Sequence, residues 1–257
     1  MMSPTSSPIF IGWDVGGWNC DKNPASRDAL VVLDAQRQLI GKPWRGNLRR
    51  CINQASDSAD FISRLLGYCA LDASGFSAAP VVLAIDTPLG FSTAFIELLV
   101  HGRAADAIEG SSSNPYLFRQ TERFLFERGL SPLSAVKDMI GSQATKGMHA
   151  LARFAPDIEQ CGVWTDNRLL RAIEAYPASC KRSSTLERLR ASVFQAADKS
   201  SGCDWGLEHV DQEDALTCAL IAWLFHFQPE QLAQPCVDVP RREGWIFVPD
   251  DGLASSA

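Results

Sequence analysis

The sequence has no excess of positive charge, because its 257 residues contain 24 Lys and Arg but 30 Asp and Glu, for a formal net charge of −6. A chain with this balance has no overall positive field to attract nucleic acid, so any nucleic-acid contact requires a local basic patch. Apolar residues make up 46% and charged residues 21% of the chain. These are ordinary values for globular proteins, and they exclude a disordered, collagen-like or coiled-coil chain.

Long apolar runs are also absent. The longest run, 215–225, is interrupted by Thr217 and is shorter than the ~20 residues that a membrane-spanning helix needs. Residues 1–8 carry no positive charge ahead of an apolar stretch, so the sequence predicts no secretory signal. We therefore expect no contact with a membrane.

The eight cysteines include no C-x-x-C pair. Their spacing excludes zinc-finger and thioredoxin-type sites. Cys218 lies within an apolar helical pattern, where cysteine typically acts as a small core residue. Unpaired thiols are the rule in the cytoplasm, which is where we expect this protein to be located.

No repeat and no low-complexity linker divides the chain, so we predict one domain over residues 9–249 with flexible ends at 1–8 and 250–257. Apolar residues that alternate or run continuously predict strands, and apolar residues at helical spacing predict helices. The predicted strands are 9–15, 29–34, 37–44, 80–86 and 169–176, followed by a short final strand at 245–248. The predicted helices are 55–71, 93–101, 115–129, 134–154, 185–197 and 211–227.

The order of these elements predicts an α/β fold. The first three strands follow one another through short links, which indicates an antiparallel hairpin meander. The continuous apolar run at 80–86 is typical of a strand in a parallel sheet that is buried on both faces. We therefore expect a mixed five-stranded sheet with helices on both faces, and a helical insertion at about 89–168 before the last core strand.

Acidic residues stand at the ends of several apolar elements. Asp14 ends the first strand, Asp86 ends the buried strand, Glu174 lies near the end of the last core strand, and Asp211 and Asp214 open the last long helix. If the first strand and the buried strand are parallel neighbours, Asp14 and Asp86 end side by side, about 4.8 Å apart. Two carboxylates at this spacing raise each other's pKa, and a divalent cation between them removes the repulsion.

Each of these acids also has a simpler interpretation. Asp14 precedes two glycines and is compatible with an ordinary turn, while Glu174 is compatible with a solvated strand end. Asp211 and Asp214 are compatible with the N-cap and first turn of a helix, where free N–H groups and the helix dipole favour carboxylates. For Asp211 this capping role is the better interpretation. For Asp214, the apolar run that follows favours a side chain turned toward the sheet.

Basic residues that could bind a phosphate come mainly from the insertion. Arg119 and Arg123 are one helical turn apart on one face, and arginine binds phosphate through paired hydrogen bonds. The alternative is that these arginines form an ion pair with Glu122 within the helix. Lys181 could add positive potential near the acids, although an isolated lysine is more often solvated.

Five segments, in order and spacing, resemble an uncharacterised family described as predicted nucleases of RNase H-like fold: IGWDVGG, VLAIDTPLGF, FRQTER, IEAYP and DQEDALTCALIAW. The resemblance places Asp14 and Asp86 on the two strand-end acids of that family, Glu174 on the acid of its E-x-x-P motif, and Asp214 on the acid that opens its last helix. It also matches Arg119 and Arg123 to an R-x-x-E/D-R pattern. An RNase H-like sheet and bound Mg²⁺ or Mn²⁺ are what this resemblance implies.

The sequence thus predicts a metal-dependent nuclease or phosphodiesterase that uses two metal ions. Asp14, Asp86, Asp211 and Asp214 are the predicted metal ligands, with Glu174 as a further ligand or as the base that orients water. The predicted phosphate contacts are Arg119, Arg123 and Lys181. The acidic net charge favours a short or structured nucleic acid, or a nucleotide, as the substrate.

Two other functions remain open at this point. Asp14-Val15-Gly16 matches the Asp-x-Gly start of the phosphate loop in actin-like ATP-dependent phosphotransferases, although the chain shows no second copy of that core. A non-catalytic module that binds nucleic acid or protein on the same fold is the other alternative. The sequence does not fix the oligomeric state, for which a homodimer is one option.

Overall fold

A computed structural model describes residues 7–108, 110, 112–200 and 206–254, except for the side chains of Ser179 and of residues 194–200. Its strands are β1 (Ile9–Asp14), β2 (Asp28–Leu33), β3 (Leu39–Gly46), β4 (Val81–Asp86), β5 (Asp157–Gln160), β6 (Val163–Thr165), β7 (Leu170–Ala175) and β8 (Ile246–Phe247). Its helices are α1 (Arg49–Gln54), α2 (Ser58–Tyr68), α3 (Thr93–His101), α4 (Gln120–Phe126), α5 (Gly141–Phe154), α6 (Ser184–Ser200) and α7 (Val210–Phe227).

The strands form one open mixed sheet in the order β3-β2-β1-β4-β7-β6-β5, and β8 pairs with β7. Strand β1 pairs antiparallel with β2 and parallel with β4, and β4 pairs parallel with β7. The predicted α/β class, with antiparallel and parallel strands in one sheet, is confirmed. The carboxyl ends of β1, β4 and β7 therefore meet at one edge of the sheet, which is where open α/β sheets bind ligands.

The sheet is buried on both faces, because successive side chains of each strand point to opposite sides. Ile9, Ile11 and Trp13 pack into a cluster with residues of α1, α2 and α5. Phe10, on the other face of β1, packs with the apolar side chains of α7. Cys218, predicted to fill the core, is fully buried in that second cluster.

Gly12 determines how closely α7 approaches β1. A Cβ atom at this position would overlap the backbone of Ala215 and lie 2.5 Å from the backbone nitrogen of Ala219. The helix therefore rests directly on the strand. This close contact brings the N-terminal part of α7, which contains Asp214, toward the carboxyl end of β1.

The region 89–168 differs from the predicted helical insertion. It contains α3, α4 and α5, but it ends in the antiparallel pair β5 and β6, which extends the sheet beyond β7. The predicted helix at 134–154 begins only at Gly141, and the predicted helix at 115–129 is reduced to Gln120–Phe126. Strand β5 was not predicted because its exposed polar residues show no apolar alternation.

The predicted flexible chain end begins at residue 250, and the structure describes it as far as residue 254. Asp250–Gly252 forms a short 3-10 turn. Asp251 accepts hydrogen bonds from the Ser183 and Ser184 hydroxyls and from the Thr185 backbone N–H. These contacts attach residues 250–252 to the start of α6. Among the described helices, none combines the length and the apolar content that crossing a bilayer would require.

Candidate functional site

Asp14 and Asp86 end neighbouring parallel strands at the same level. The register of β1 and β4 pairs Gly12 with Ala84 and Asp14 with Asp86. Both side chains lie on the α7 side of the sheet. Successive side chains of a strand alternate between the two faces, and the preceding residues, Trp13 and Ile85, belong to the cluster on the opposite face. Both are half-buried and line a cavity of about 220 Å³. This is the side-by-side arrangement that the sequence predicted for the two strand ends.

The two carboxyl groups destabilise each other's charged form. Burial raises the pKa of Asp14 well above its ordinary value, and the charge of Asp86 raises it further. Burial likewise raises the pKa of Asp86, with contributions from the charges of Asp214 and Glu174. Neither carboxylate accepts a hydrogen bond from any residue in the described part of the chain. A cation at this point would remove a repulsion that no protein donor relieves.

Asp214 is the third carboxylate of this group. Its charge contributes to the raised pKa values of both Asp14 and Asp86. Burial raises the pKa of Asp214 itself, and the positive charge of Lys181 offsets part of that increase. Across the described ranges, Asp214 has no hydrogen-bond donor either. The structure therefore groups Asp14, Asp86 and Asp214 electrostatically, as predicted from their positions.

The Thr87 side chain adds an unsatisfied polar atom next to these acids. Thr87 is buried, lines the same cavity as Asp14 and Asp86, and its hydroxyl has no hydrogen-bond partner among the residues described. Buried polar groups are almost always paired, and an unpaired one costs free energy.

Glu174 lines the same cavity as Asp14 and Asp86, but its side chain leaves the sheet on the opposite face. It alternates with Ile173 and Ala175, which pack on the α7 side, and therefore shares the opposite face with Ala172. There it is almost fully buried and receives two hydrogen bonds from Arg119, of 2.6 and 2.8 Å, and one from the Leu89 backbone N–H. Burial raises the pKa of Glu174, and the Arg119 guanidinium offsets part of the increase.

This arrangement corrects the role predicted for Arg119. Its five N–H donors are occupied by Glu122, Glu174 and the backbone oxygen of Glu243, so none remains for a phosphate. Burial alone would lower the pKa of Arg119, but Glu122 and Glu174 together raise it above its ordinary value. Arg119 is therefore a structural cation, and Glu174 is its buried partner rather than an open metal ligand or base.

Asp211 is also occupied by other residues. Its Oδ2 accepts a 2.7 Å hydrogen bond from Arg45 Nε and a 2.9 Å bond from the Arg27 backbone N–H. The His209 side chain, at the N-cap of α7, accepts a bond from the Asp211 backbone N–H. Asp211 thus joins α7 to the β2–β3 region, and this replaces its predicted role as a metal ligand. The preferred prediction, that Asp211 is the N-cap, is also wrong, because His209 is the N-cap and Asp211 lies in the first turn of α7.

The two remaining predicted phosphate contacts have different surroundings. Arg123 is not part of the wall of the 220 Å³ cavity, and its Nε has no hydrogen-bond partner in the described ranges. Lys181 is exposed and lines a second cavity of about 440 Å³, together with Asp214 and Arg190. Lys181 is therefore near the acids as predicted, whereas the structure does not bring Arg123 to them.

A second buried ionic group was not predicted from the sequence. Lys146 and Asp28 are fully buried and form an ion pair. Lys146 Nζ also donates to the backbone oxygens of Gly16 and Gly17, and Asp28 accepts from the Gly16 backbone N–H. The pair therefore fixes the loop that follows Asp14. Lys146 resembles any surface lysine in the sequence, so nothing there indicates this partner on β2.

The carboxylates do not form a closed set of metal ligands. In the part of the chain that the structure describes, no group of three or more His, Cys, Asp or Glu side chains is arranged to hold a metal ion. An open arrangement is nevertheless typical of Mg²⁺ sites, which use one or two carboxylates together with water and substrate phosphate. Asp14 and Asp86 would supply carboxylate oxygens of the kind that Mg²⁺ prefers, with Asp214 near them.

Comparisons of the chain with protein-family models, with curated proteins and with solved structures found no match. The family resemblance thus stays a prediction.

Proposed function

We propose that the chain is a divalent-metal-dependent hydrolase of phosphodiester bonds, with Asp14 and Asp86 as the principal ligands for Mg²⁺ or Mn²⁺. The single observation that carries this proposal is the pair of carboxylates in register at the ends of β1 and β4. They have no hydrogen-bond donor in the described part of the chain, and their pKa values are raised together. Two such carboxylates lower the stability of the folded chain unless a bound ligand compensates their charge.

Asp214 completes the proposed set from the opposite side, because α7 lies directly on β1 at Gly12. Two divalent ions held by such carboxylates would activate a water molecule and stabilise the leaving oxygen in phosphodiester cleavage. Glu174 and Arg119 support the site from the other face by holding the Leu89 backbone.

Lys181 and Arg190 are the cations proposed to contact the substrate. Both line the 440 Å³ cavity that includes Asp214. The Arg190 guanidinium is held by the Thr217 hydroxyl at 2.7 Å, and the Lys181 side chain is exposed to solvent. A phosphate one position away from the bond that is cleaved would be attracted to this pair.

The cavity that Asp14 and Asp86 line is small, which favours a narrow substrate. Its volume of about 220 Å³ is smaller than the roughly 300–1,000 Å³ typical of pockets for drug-sized ligands. Pro132, Leu133 and Ile140, from the segment between α4 and α5, form part of its wall. We therefore propose a nucleotide or a single-stranded nucleic acid as the substrate, in preference to an intact duplex.

The fold assignment is part of the same proposal. The meander β1–β3 joined to the parallel strands β4 and β7, with helices on both faces, supports the RNase H-like fold that the family resemblance implies. The additional strands β5, β6 and β8 lie beyond this group of five.

Cleavage assays with Asp86→Asn test the proposal. Single-stranded, duplex and dinucleotide substrates would be incubated with the full chain in Mn²⁺, in Mg²⁺ and in EDTA. We expect cleavage of the narrow substrates that depends on the metal and is abolished by Asp86→Asn while the fold is retained. The matched control is Asp238→Asn, which changes an exposed carboxylate outside both cavities and should leave activity unchanged.

Undiminished cleavage by Asp86→Asn would contradict the proposal. If the wild-type chain cleaves none of the substrates, a non-catalytic binding module on the same fold becomes the better interpretation.

A further inference from the structure

The segments 18–28 and 45–50 are basic although the chain as a whole is acidic. They contain five Lys and Arg but two Asp, whereas the chain has 24 Lys and Arg against 30 Asp and Glu. One of the two acids, Asp28, is buried against Lys146, so Asp21 is the exposed carboxylate of these segments. We call their five cations the basic surface: Lys22, Arg27, Arg45, Arg49 and Arg50.

The basic surface lies at the same edge of the sheet as the acidic cavity. Asp14 pairs with Ala29 and β3 is antiparallel to β2, so β2 begins and β3 ends at the carboxyl end of β1. Arg45 donates to Asp211 at 2.7 Å, and the charge of Asp211 contributes to the raised pKa of Asp14. A ligand bound at Asp14 could therefore continue onto these cations.

Trp18 is held between the cavity and the basic surface. Its backbone N–H donates to the Ser142 hydroxyl at 3.0 Å, and its indole N–H donates to the Thr145 hydroxyl at 3.1 Å. Its backbone oxygen accepts a 3.2 Å hydrogen bond from Arg49, a member of the basic surface. Ser142 adjoins Gln143, which lines the acidic cavity. The Trp18 side chain is thus fixed in position, yet it remains half-exposed.

We propose that Trp18 and the basic surface bind a short single strand of nucleic acid whose scissile phosphate lies at Asp14 and Asp86, an inference that rests on the proposed function. Proteins that bind single strands combine cations that contact the backbone with aromatic rings on which bases stack. A ring that is already fixed loses little conformational entropy when a base stacks on it. Stacking of this kind requires an unpaired base, which favours a single strand over a duplex.

Lys22 and Arg27 are the cations of this surface that are best placed to contact phosphates. In the described part of the chain, the exposed Lys22 side chain donates no hydrogen bond, and the Arg27 guanidinium donates to the Asn23 backbone oxygen alone. Arg45 and Arg49 are already hydrogen-bonded within the chain and shape the surface. We therefore assign the flanking phosphates to Lys22 and Arg27.

Fluorescence anisotropy with labelled single strands of about eight deoxythymidine or uridine nucleotides tests this proposal. The full chain carrying Asp86→Asn would be used, in EDTA and in Mn²⁺, so that the strands stay intact whether or not the wild type cleaves them. Trp18→Ala should weaken binding by about fivefold or more, the effect of losing one stacked base, whereas Trp18→Phe should keep most of the affinity.

The salt dependence of binding tests the phosphate contacts separately. Lys22→Gln should reduce the slope of log K against log salt concentration by about 0.7, the contribution of one phosphate contact in a single strand. The matched control is Arg168→Gln, which removes one positive charge from an exposed residue just before β7, at the opposite edge of the sheet. It should leave the slope and the affinity unchanged.

Three results would overturn the proposal. They are strands that do not bind in either buffer, a folded Trp18→Ala chain with unchanged affinity, and displacement of the strand by poly-glutamate as effectively as by unlabelled strand, which would indicate a surface for acidic peptides. If Trp18→Ala does not fold, Trp18→Phe and Lys22→Gln decide. Binding without cleavage by the wild type would retain this surface and contradict the proposed hydrolase, whereas cleavage of dinucleotides without strand binding would do the reverse.

Discussion

Individual carboxylates in this molecule differ in whether the protein compensates their charge. Glu174 and Asp211 are buried and receive hydrogen bonds from arginines, which is how folded proteins normally accommodate a buried charge. Asp14 and Asp86 have no such donor in the described structure and repel one another. The uncompensated pair is therefore the better candidate for function, because perturbed carboxylates in a cavity tend to mark binding or catalytic sites.

The raised pKa of Asp86 predicts a specific dependence of stability on pH. A carboxyl with a raised pKa binds its proton more tightly in the folded state than in the unfolded state, where its pKa is about 3.9. Its contribution to stability is therefore lost as the pH rises through the folded pKa. In EDTA, Asp86→Asn should therefore be more stable than the wild type at about pH 7, by about 1.4 kcal/mol for each unit of the shift.

Urea unfolding at several pH values measures this difference. The advantage of Asp86→Asn should disappear below about pH 3, where the wild-type carboxyl is protonated in both states. Asp238→Asn serves as the control and should follow the wild type. An Asp86→Asn chain that is less stable than the wild type at neutral pH would show that the carboxylate is compensated by a contact the structure does not contain.

The environment of Arg119 predicts a large effect on stability. Arg119→Met leaves Glu122 and Glu174 buried without their partner, which typically costs about 3–5 kcal/mol. The control is Arg64→Met, which removes an exposed ion pair with Asp60 and should cost less than about 1 kcal/mol. Chemical denaturation of both variants provides the comparison. Equal, small losses would mean that Arg119 is not the structural cation described here and would restore its predicted phosphate-binding role.

At the scale of elements, the contact between α7 and β1 determines the position of Asp214. Alternation along β1 places Gly12 on the α7 face, where only a residue without a Cβ permits this approach. The residues of α7 that face Gly12, Ala215 and Ala219, are also small, which likewise allows the helix to approach β1 closely. The site therefore depends on the packing of a strand and a helix that are about 200 residues apart in the sequence.

Gly12→Ala tests this dependence. The added methyl group overlaps the backbone of Ala215, which cannot rotate away, so we expect a loss of about 1–3 kcal/mol or more in unfolding free energy. Gly67→Ala in α2 is the matched control, since nothing lies near its Cβ position and alanine favours a helix by about 1 kcal/mol. If Gly12→Ala is as stable as the wild type, α7 does not rest on β1 as closely as described.

The elements with a regular apolar pattern could be predicted from the sequence. Strands β1, β2, β4 and β7 and helix α7 were identified because alternation, or a continuous apolar run, reflects burial on one or both faces. Strands β5 and β6 were missed because they are short and the first is polar and exposed. Helix α5 was predicted too long, since the preceding segment has helical spacing without forming a helix.

The site could be predicted only in part, for a physical reason. Asp14 and Asp86 follow from strand ends alone, because parallel neighbours bring their carboxyl ends together. The pairing of Arg119 with Glu122 follows from helical spacing, but its other partner, Glu174, lies 55 residues away. Asp28, the partner of Lys146, lies 118 residues away, and both of these contacts depend on tertiary packing. No local pattern distinguishes a cation that binds phosphate from one that neutralises a buried carboxylate.

In the molecule as a whole, helices cover both faces of the sheet. The ends of β1 and β4, which line the cavity with Asp14 and Asp86, are where the uncompensated carboxylates lie. The net charge of −6 would oppose binding of a long polyanion, and the nearest cations, Lys181 and Arg190, line a cavity beside Asp214. Under the proposed function, the substrate would be a short phosphodiester whose charge is balanced mainly by metal ions.

Thermal unfolding of the full chain in Mn²⁺, in Mg²⁺ and in EDTA, with a nucleoside monophosphate present to supply a phosphate ligand, tests the central claim most directly. We predict a saturable rise in Tm with metal of about 5–10 °C at a hundredfold excess over Kd. The rise should be lost in Asp14→Asn and kept in Asp238→Asn. A chain whose Tm does not respond to metal, or whose response is the same in Asp14→Asn, would contradict the assignment of a metal site to the ends of β1 and β4.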